Sequence, residues 1–524
     1  MESVRPPSLE DFRQISASMG LQCDDQQLSA FINLTKGTHE SYERLNNLRE
    51  AFSFPNKYPR TPGHRPDPED NKYGAWIWMC DICGADSGPL AGKRVAVKDT
   101  VGMAGVPLMN GCFGLEGFTS DSDATIVTRI LDAGGCIVGK TAVPYLCVCA
   151  SSYCTPYQSV TNPHNQAHSA GGSSSGSAVA VVIGEADMAI GGDQGGSIRI
   201  PASHCGIVGL KPTFGLVPYT GVCSIVPQLD HVGPMARTVR DVALFLQVLA
   251  GRCPLDKRQP EHLVVPNYTE KLGASTKHLK LGVLTEGFEM CGEDVQACVG
   301  QAARAILDSN QFDRVARISI PLHKDAHHIL APYLGEALLG SFYEGYDWSE
   351  GYTPCSLTDA MFRSLRTHKQ DMSPTCKMLL IWGRYVRERY GNRYLNKSQQ
   401  WILKLSQEYD RWLQEYDVLL MPTLPKTAGK LPENNQDKVS FQDFIAGTSD
   451  VLQTTCPFNG TGHPALSLNG GFSSLTDLPV GLQLVGRKFD EATLLQAAYA
   501  VEQILKPFQR PLPQAVASHQ QQKF

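Results

Sequence analysis

Residues 171–206 read GGSSSGSAVAVVIGEADMAIGGDQGGSIRIPASHCG. Two glycine–serine clusters flank an apolar run, and Ser173 and Ser197 stand 24 residues apart, each directly behind a glycine pair. Glycine reaches backbone angles that other residues avoid and lets a second group come close, so a Gly-Gly before a serine suits a turn that presents hydroxyl and amides together. The run AVAVVI predicts a buried helix after the first turn. DMAIGGD predicts a strand before the second.

Strand-like segments recur on both sides of this stretch: KRVAV, CIVGK, LKLGVL, RVARISI and DVLLMP. They alternate with helical patterns at Asp123 to Ala133 and Val295 to Ser309. That alternation predicts an α/β fold in which a mixed central sheet is covered by helices on both faces. The core is expected over residues 71–321 and 417–524. Ahead of it, residues 8 to 52 read as helical, with Phe12, Ile15, Met19, Leu28, Phe31 and Ile32 at helical spacings. The Pro-rich stretch Phe54 to Asp70 forms few backbone hydrogen bonds and reads as a linker, so residues 1–70 make an N-terminal arm plus connector. Residues 322–416 are rich in Tyr, Trp and charge and read as a mostly helical insertion capping the substrate entrance. Tyr333, Phe342, Tyr343, Trp348 and Trp382 are its candidate wall residues, with packing inside the insertion as the alternative for each. Lys426 to Val439 reads as a polar loop, and the last dozen residues as a mobile tail.

A serine hydroxyl is a weak nucleophile at neutral pH unless a base takes its proton. Lys98 ends the strand-like KRVAVK and precedes Asp99. A lysine buried at a strand end is pushed toward the neutral amine, which acts as a base near pH 7. A solvated or ion-paired lysine is the plainer reading. A second hydrolase pattern overlaps the first cluster, since Gly172–Gly176 satisfies G-x-S-x-G with Ser174 at its centre. That elbow needs a buried strand ahead of it, and TNPHNQAH is polar. Cys80 and Cys83 form a lone CxxC without a second ligand pair, so no metal is expected. His164 and His168 are four apart, but the Pro and Gly around them argue against one helical face. Cys147, Cys149 and Cys154 read as buried thiols, with substrate contact as the alternative.

A length of 524 residues and 42% hydrophobic content support several packed layers. A net charge of −5, with no basic block, gives no footprint for nucleic acid. The first residues lack the apolar core of a signal peptide, and no apolar stretch reaches the length of a membrane span. A cytoplasmic protein is therefore expected, its 16 cysteines reduced.

Taken together, KRVAVKDTV, NPHNQAHSAGGSSSGSAVAV, GGDQGGSIRIPASHCGIVGLKPTFGLVP, LDHVGPMARTV and FNGTGHPALSLNGGFSSLTDLPVGLQLV resemble the amidase signature family of serine hydrolases. The likeness is greatest to the bacterial amidases acting on aliphatic and aromatic amides. It implies Ser197 as nucleophile, Ser173 as a bridging serine behind a cis peptide, and Lys98 as the base. Backbone amides of Gln194, Gly195, Gly196 and Ser197 are the implied oxyanion donors. Ser174 has an implied supporting role. Asp193 and Arg199, on either side of the nucleophile, are expected to pair and fix the loop. Ser175 stands where many relatives carry glycine. The implied activity is hydrolysis of a small-molecule amide to acid and ammonia or amine, without cofactor. The alternatives are a glutamine-hydrolysing amidotransferase subunit and an inactive binding relative. The helical arm suggests a homodimer.

Overall fold

The computed structural model describes residues 4–48, 52, 56–344, 351–432, 450–506 and 510–513. The chain divides into two compact units, Met1–Pro55 and Asn56–Phe524. In the first, the continuous helical pattern resolves into three helices, Leu9–Ser18, Asp25–Leu34 and Lys36–Asn46. Ser8 and Asp24 each close a capping box, with Asp11 and Gln27 respectively, so the chain restarts at both points rather than running straight through.

The second unit is built on an eleven-stranded mixed sheet and a small separate hairpin. In chain order the strands are β1 (Trp76–Cys83), β2 (Arg94–Lys98), β3 (Cys136–Thr141), β4 (Thr161–Asn162), β5 (Asn165–Ser169), β6 (Met188–Asp193), β7 (Val208–Lys211), β8 (His231–Ala236), β9 (Lys280–Leu284), β10 (Arg314–Ile318), β11 (Val418–Pro422), β12 (Ala465–Phe472) and β13 (Pro479–Gly486). β4 and β5 pair with each other as the hairpin. The order across the main sheet is β1-β3-β2-β6-β8-β7-β12-β13-β11-β9-β10. All six strand-like segments of the sequence are strands. β1, β7, β8, β12 and β13 had no strand expectation: glycine or proline interrupts the last four, and β1, WIWMCDIC, is a nearly continuous apolar run without alternation.

Side-chain alternation sets the two faces of the sheet. Val95, Val97, Met188 and Ile190 point into the large core built with the helices Thr125–Asp132, Val239–Leu249, Glu293–Asp308 and Glu491–Leu505. Ala96 and Ala189 point the other way, into a core of small residues shared with the helix Ser175–Val182. Small side chains let that helix lie close to the sheet. A Cβ on Gly176 would stand 2.6 Å from the backbone nitrogen of Ala142. By the same alternation Lys98 and Asp193 fall on this second face, at neighbouring ends of the parallel strands β2 and β6.

One cysteine expectation is corrected. Cys83 and Cys136 are register partners on the antiparallel pair β1 and β3, and they form a disulfide. The CxxC motif is part of β1, and Cys80 is buried with its thiol donating to the Ile137 carbonyl at 3.8 Å. No helix among the described residues is long and apolar enough to cross a membrane.

Within 322–416 lie the helices Ala326–Leu339, Cys355–Thr367, Pro374–Tyr390 and Arg393–Glu415. Tyr333 and Phe342 are buried in a cluster with Tyr145, Leu146, Cys147, Ile225, Val226 and Leu229 of the sheet unit's loops. Trp382 is 58% exposed, stacks on Tyr385 and lines a second, open cavity with Ile381 and Met378. The Tyr343 side chain and Trp348 lie outside the described residues, as do part of the polar loop and the final tail.

Candidate active site

Lys98 ends β2 with its side chain buried against the first Gly-Ser turn. Its Nζ lies 2.8 Å from Ser173 Oγ and 3.2 Å from the Gly192 carbonyl oxygen. Burial pulls the lysine pKa below its ordinary value, against an opposing pull from Cys147, Asp193 and Asp230. The strand end is pinned from the next residue. Asp99 meets Lys140 at 2.9 Å and accepts the N–H groups of Met109 and Asn110 at 3.0 and 3.1 Å.

The Gly172–Ser173 peptide is cis. Gly172 has no room for a side chain, since a Cβ there would stand 2.6 Å from the Ser151 carbonyl oxygen. Ser174 follows at the entrance of the helix Ser175–Val182, where its Oγ donates to the Gly192 carbonyl and accepts the Gly192 N–H, both at 3.2 Å. Its hydroxyl is thus committed to β6. The strand before it, β5, belongs to the separate hairpin and is largely exposed, which removes the structural context an elbow requires.

The second cluster turns sharply after β6. Ser174 N–H donates to the Ser197 carbonyl at 3.1 Å, which ties the two serine turns together. Ser197 is 8% exposed, whereas Ser173 is fully buried. Gly196 holds φ at 142°, a region that favours glycine, and a Cβ there would collide with the Thr455 hydroxyl. That hydroxyl donates to the Gly195 carbonyl at 2.7 Å. The N–H groups of Gly195, Gly196 and Ser197 donate to no other described residue. Gln194 Nε2 donates to Tyr219 Oη at 3.1 Å, and Tyr219 Oη donates to the Cys223 carbonyl at 3.1 Å.

Asp193 and Arg199 form a two-pronged buried pair, Nε to Oδ2 and Nη2 to Oδ1, both at 3.0 Å. Arg199 also donates to Thr455 O at 2.8 Å, Gln483 Oε1 at 2.9 Å and Asn459 Oδ1 at 2.7 Å. Asn459 Nδ2 returns to Asp193 at 2.8 Å. Burial alone raises the Asp193 carboxyl, but Arg199 and Asn459 outweigh it and hold the group well below the usual carboxylate range. Asp193 also accepts the Ile198 N–H at 3.1 Å, so the pair clamps the loop on both sides of Ser197.

Thr455, Asn459 and Gln483 were not expected to support this loop; the block FNGTGHPALS carried Asn459 in the sequence without indicating its target. Among the three thiols, Cys147 is buried with its S–H donating to Asn110 Oδ1 at 3.6 Å. His164 Nε2 meets the Cys205 carbonyl at 3.0 Å, and His168 is part of the β5 edge, so the two rings serve separate contacts. A cavity of about 960 Å³ opens between Cys223, Ser224 and Pro227 of the sheet unit and Leu339, Leu357 and Met361. Its inner wall is joined to the serine loop through Cys223, Tyr219 and Gln194.

The Amidase family profile matches residues 80–495. An enantioselective amidase of Rhodococcus rhodochrous is 38% identical over 536 residues, spanning 99% of both chains. A glutamyl-tRNA(Gln) amidotransferase subunit of Exiguobacterium sibiricum is 34% identical over 455 residues, 84% of this chain and 91% of its own. Among solved structures, a glutamyl-tRNA(Gln) amidotransferase subunit of Thermotoga maritima superposes with a TM-score of 0.70 at 27% identity, covering 86% of this chain and 92% of its own.

Proposed function

The chain belongs to the amidase signature family, hydrolases of amide C–N bonds, and on that premise we propose that it cleaves carboxylic acid amides through an acyl-enzyme on Ser197. The observation that carries the reading is the 2.8 Å contact between Lys98 Nζ and Ser173 Oγ, sealed from water. Neutral Lys98 takes the Ser173 proton while Ser173 takes the Ser197 proton, and Ser197 Oγ attacks the carbonyl carbon. The N–H groups of Gly195, Gly196 and Ser197 meet the oxyanion that develops, each donor worth ~3 kcal/mol of barrier. As the intermediate collapses, Ser173 gives a proton to the leaving nitrogen and regains one from Lys98. Ammonia or amine departs, and the relay then activates water to release the acid.

Small apolar and aryl amides are the substrates this reading favours, because the walls near the site are apolar. Tyr333 and Phe342 support the idea that the 322–416 helices cap the entrance. A cytoplasmic location belongs to the same reading. So does a homodimer through the N-terminal arm, supported by exposed Ile15, Met19, Leu34 and Leu45, which light scattering on a chain lacking residues 1–55 tests by mass.

The acyl-enzyme is tested by partition. With hydroxylamine present, amides and esters of one acyl group should give one common ratio of hydroxamate to acid. Ratios that follow the leaving group would reject the shared intermediate. Likeness to amidotransferase subunits favours a glutamine-hydrolysing subunit as the second reading, which glutaminase activity that rises only with a partner would support.

A further inference from the structure

We propose that the cavity of about 960 Å³ holds the acyl group of the substrate and that its cationic mouth reads an anionic group at the far end of that chain, an inference that rests on the reading above. The substrate class is then the amide of an apolar acid that ends in a second carboxylate. A simple amide of a few heavy atoms leaves most of this space empty, since the cavity stands near the top of the roughly 300–1,000 Å³ range of small-molecule sites. The acyl group stays on Ser197 through both half-reactions, whereas the amine departs, so a deep wall serves longest by holding the acyl part.

The wall is graded from apolar to cationic. Cys223, Leu339 and Leu357 are buried, and the Cys223 carbonyl is tied to the serine loop through Tyr219 and Gln194. Arg366 and Lys369 line the same cavity and are exposed, and Lys377 is half-buried beside them. Arg366 lies over the Phe362 ring at 4.6 Å, and Lys377 Nζ donates to the Gln370 carbonyl at 2.7 Å. Among the described residues, none of these three cations has a carboxylate within ion-pair distance. Arg384 also lines the cavity, but Glu388 meets it at 2.6 Å. The other acid of the wall, Asp359, precedes Arg366 by two turns of the helix Cys355–Thr367, about 10 Å along its axis. The exposed end therefore carries three cations against one distant acid, over an apolar floor.

That gradient discriminates by length and charge. A chain ending in methyl gains apolar burial alone. A short chain ending in carboxylate strands its charge against the buried floor, where an unpaired ion is costly. A longer chain covers the floor with methylenes and carries the carboxylate out to the cations. Because those cations face water, each contributes modestly and salt screens the sum.

The test is kcat/KM for monoamides of dicarboxylic acids from adipic to sebacic, each divided by the value for the methyl-ended amide of the same chain length. In wild type this ratio should rise by about tenfold along the series and fade as ionic strength rises. The double variant Arg366→Gln/Lys369→Gln should lower the sebacic ratio by about fivefold, and the charge reversal Lys369→Glu should lower it as far alone. Division by the neutral amide removes any general effect of the substitutions on folding or turnover. A ratio unchanged in the variants overturns the subsite. A fluorophosphonate-labelled wild type that shows a flat ratio, or no turnover of the carboxylate-ended amides, does the same and leaves the acyl-enzyme standing. Wild type that hydrolyses none of these amides and takes no label overturns the reading beneath.

Discussion

Asp193 and Arg199 meet through two parallel hydrogen bonds of 3.0 Å in a fully buried setting, with Ser197 on the short loop between them. Every remaining donor direction of the guanidinium is used by residues more than 250 positions away, Thr455, Asn459 and Gln483. The serine loop is therefore held to β13 and to the segment ahead of β12, as well as to its own strand.

Breaking that pair leaves a buried carboxylate without its cation. Arg199→Met is expected to cost about 3–5 kcal/mol at neutral pH by denaturant unfolding. The pH dependence has a definite sign. In wild type the depressed Asp193 pKa adds stability that is present above the unfolded value and lost as pH falls through the folded one. In the variant, burial raises the same pKa, so protonation relieves it. The deficit should shrink from pH 7 toward pH 4, and a deficit that grows on acidification contradicts the account.

Lys98 carries the opposite sign. Its folded pKa lies below the unfolded value, so the unfolded chain binds more protons and wild-type stability rises with pH up to ~10.4. Lys98→Met removes that cost along with the base. The variant should be inactive, and its melting temperature relative to wild type should be most favourable at low pH and lose ground by pH 9. A relative stability independent of pH would count against a buried neutral amine.

Gly196 has both a glycine backbone and no space for a Cβ. Gly196→Ala pushes on Thr455 and tilts the amides meant for the oxyanion. Turnover should fall by about 100-fold or more while KM changes little. A variant within threefold of wild type would remove these amides from the mechanism.

Trp382 and Phe342 separate surface from wall. Trp382→Ser should leave kcat/KM for small amides within about twofold, because the ring is 58% exposed and is not part of the wall of the cavity joined to the serine loop. Phe342→Ala empties a buried site and should cost about 3–5 kcal/mol of stability. Loss of activity in Trp382→Ser with normal folding would return that residue to the entrance.

Much of this site was legible because its parts are local. Val95 and Val97 alternate cleanly, which placed Lys98 at a strand end, and the Gly-Gly pairs marked both serine turns. The spacing between Asp193 and Arg199 was short enough to read as a pair. The supporting contacts were not legible, since Asn459 reaches Asp193 across 266 positions and its target depends on sheet order rather than on any nearby pattern. The Cys83–Cys136 disulfide was hidden for a related reason: β1 gave no strand signal, so no register with β3 could be inferred.

The central claim is that Ser197 is the acylated residue, and intact-protein mass spectrometry after exposure to a fluorophosphonate tests it most directly. Wild type and Ser174→Ala should each gain one adduct, and Ser197→Ala should gain none. An adduct that persists in folded Ser197→Ala and vanishes in Ser174→Ala would contradict the assignment and make the first glycine–serine turn the nucleophile's home.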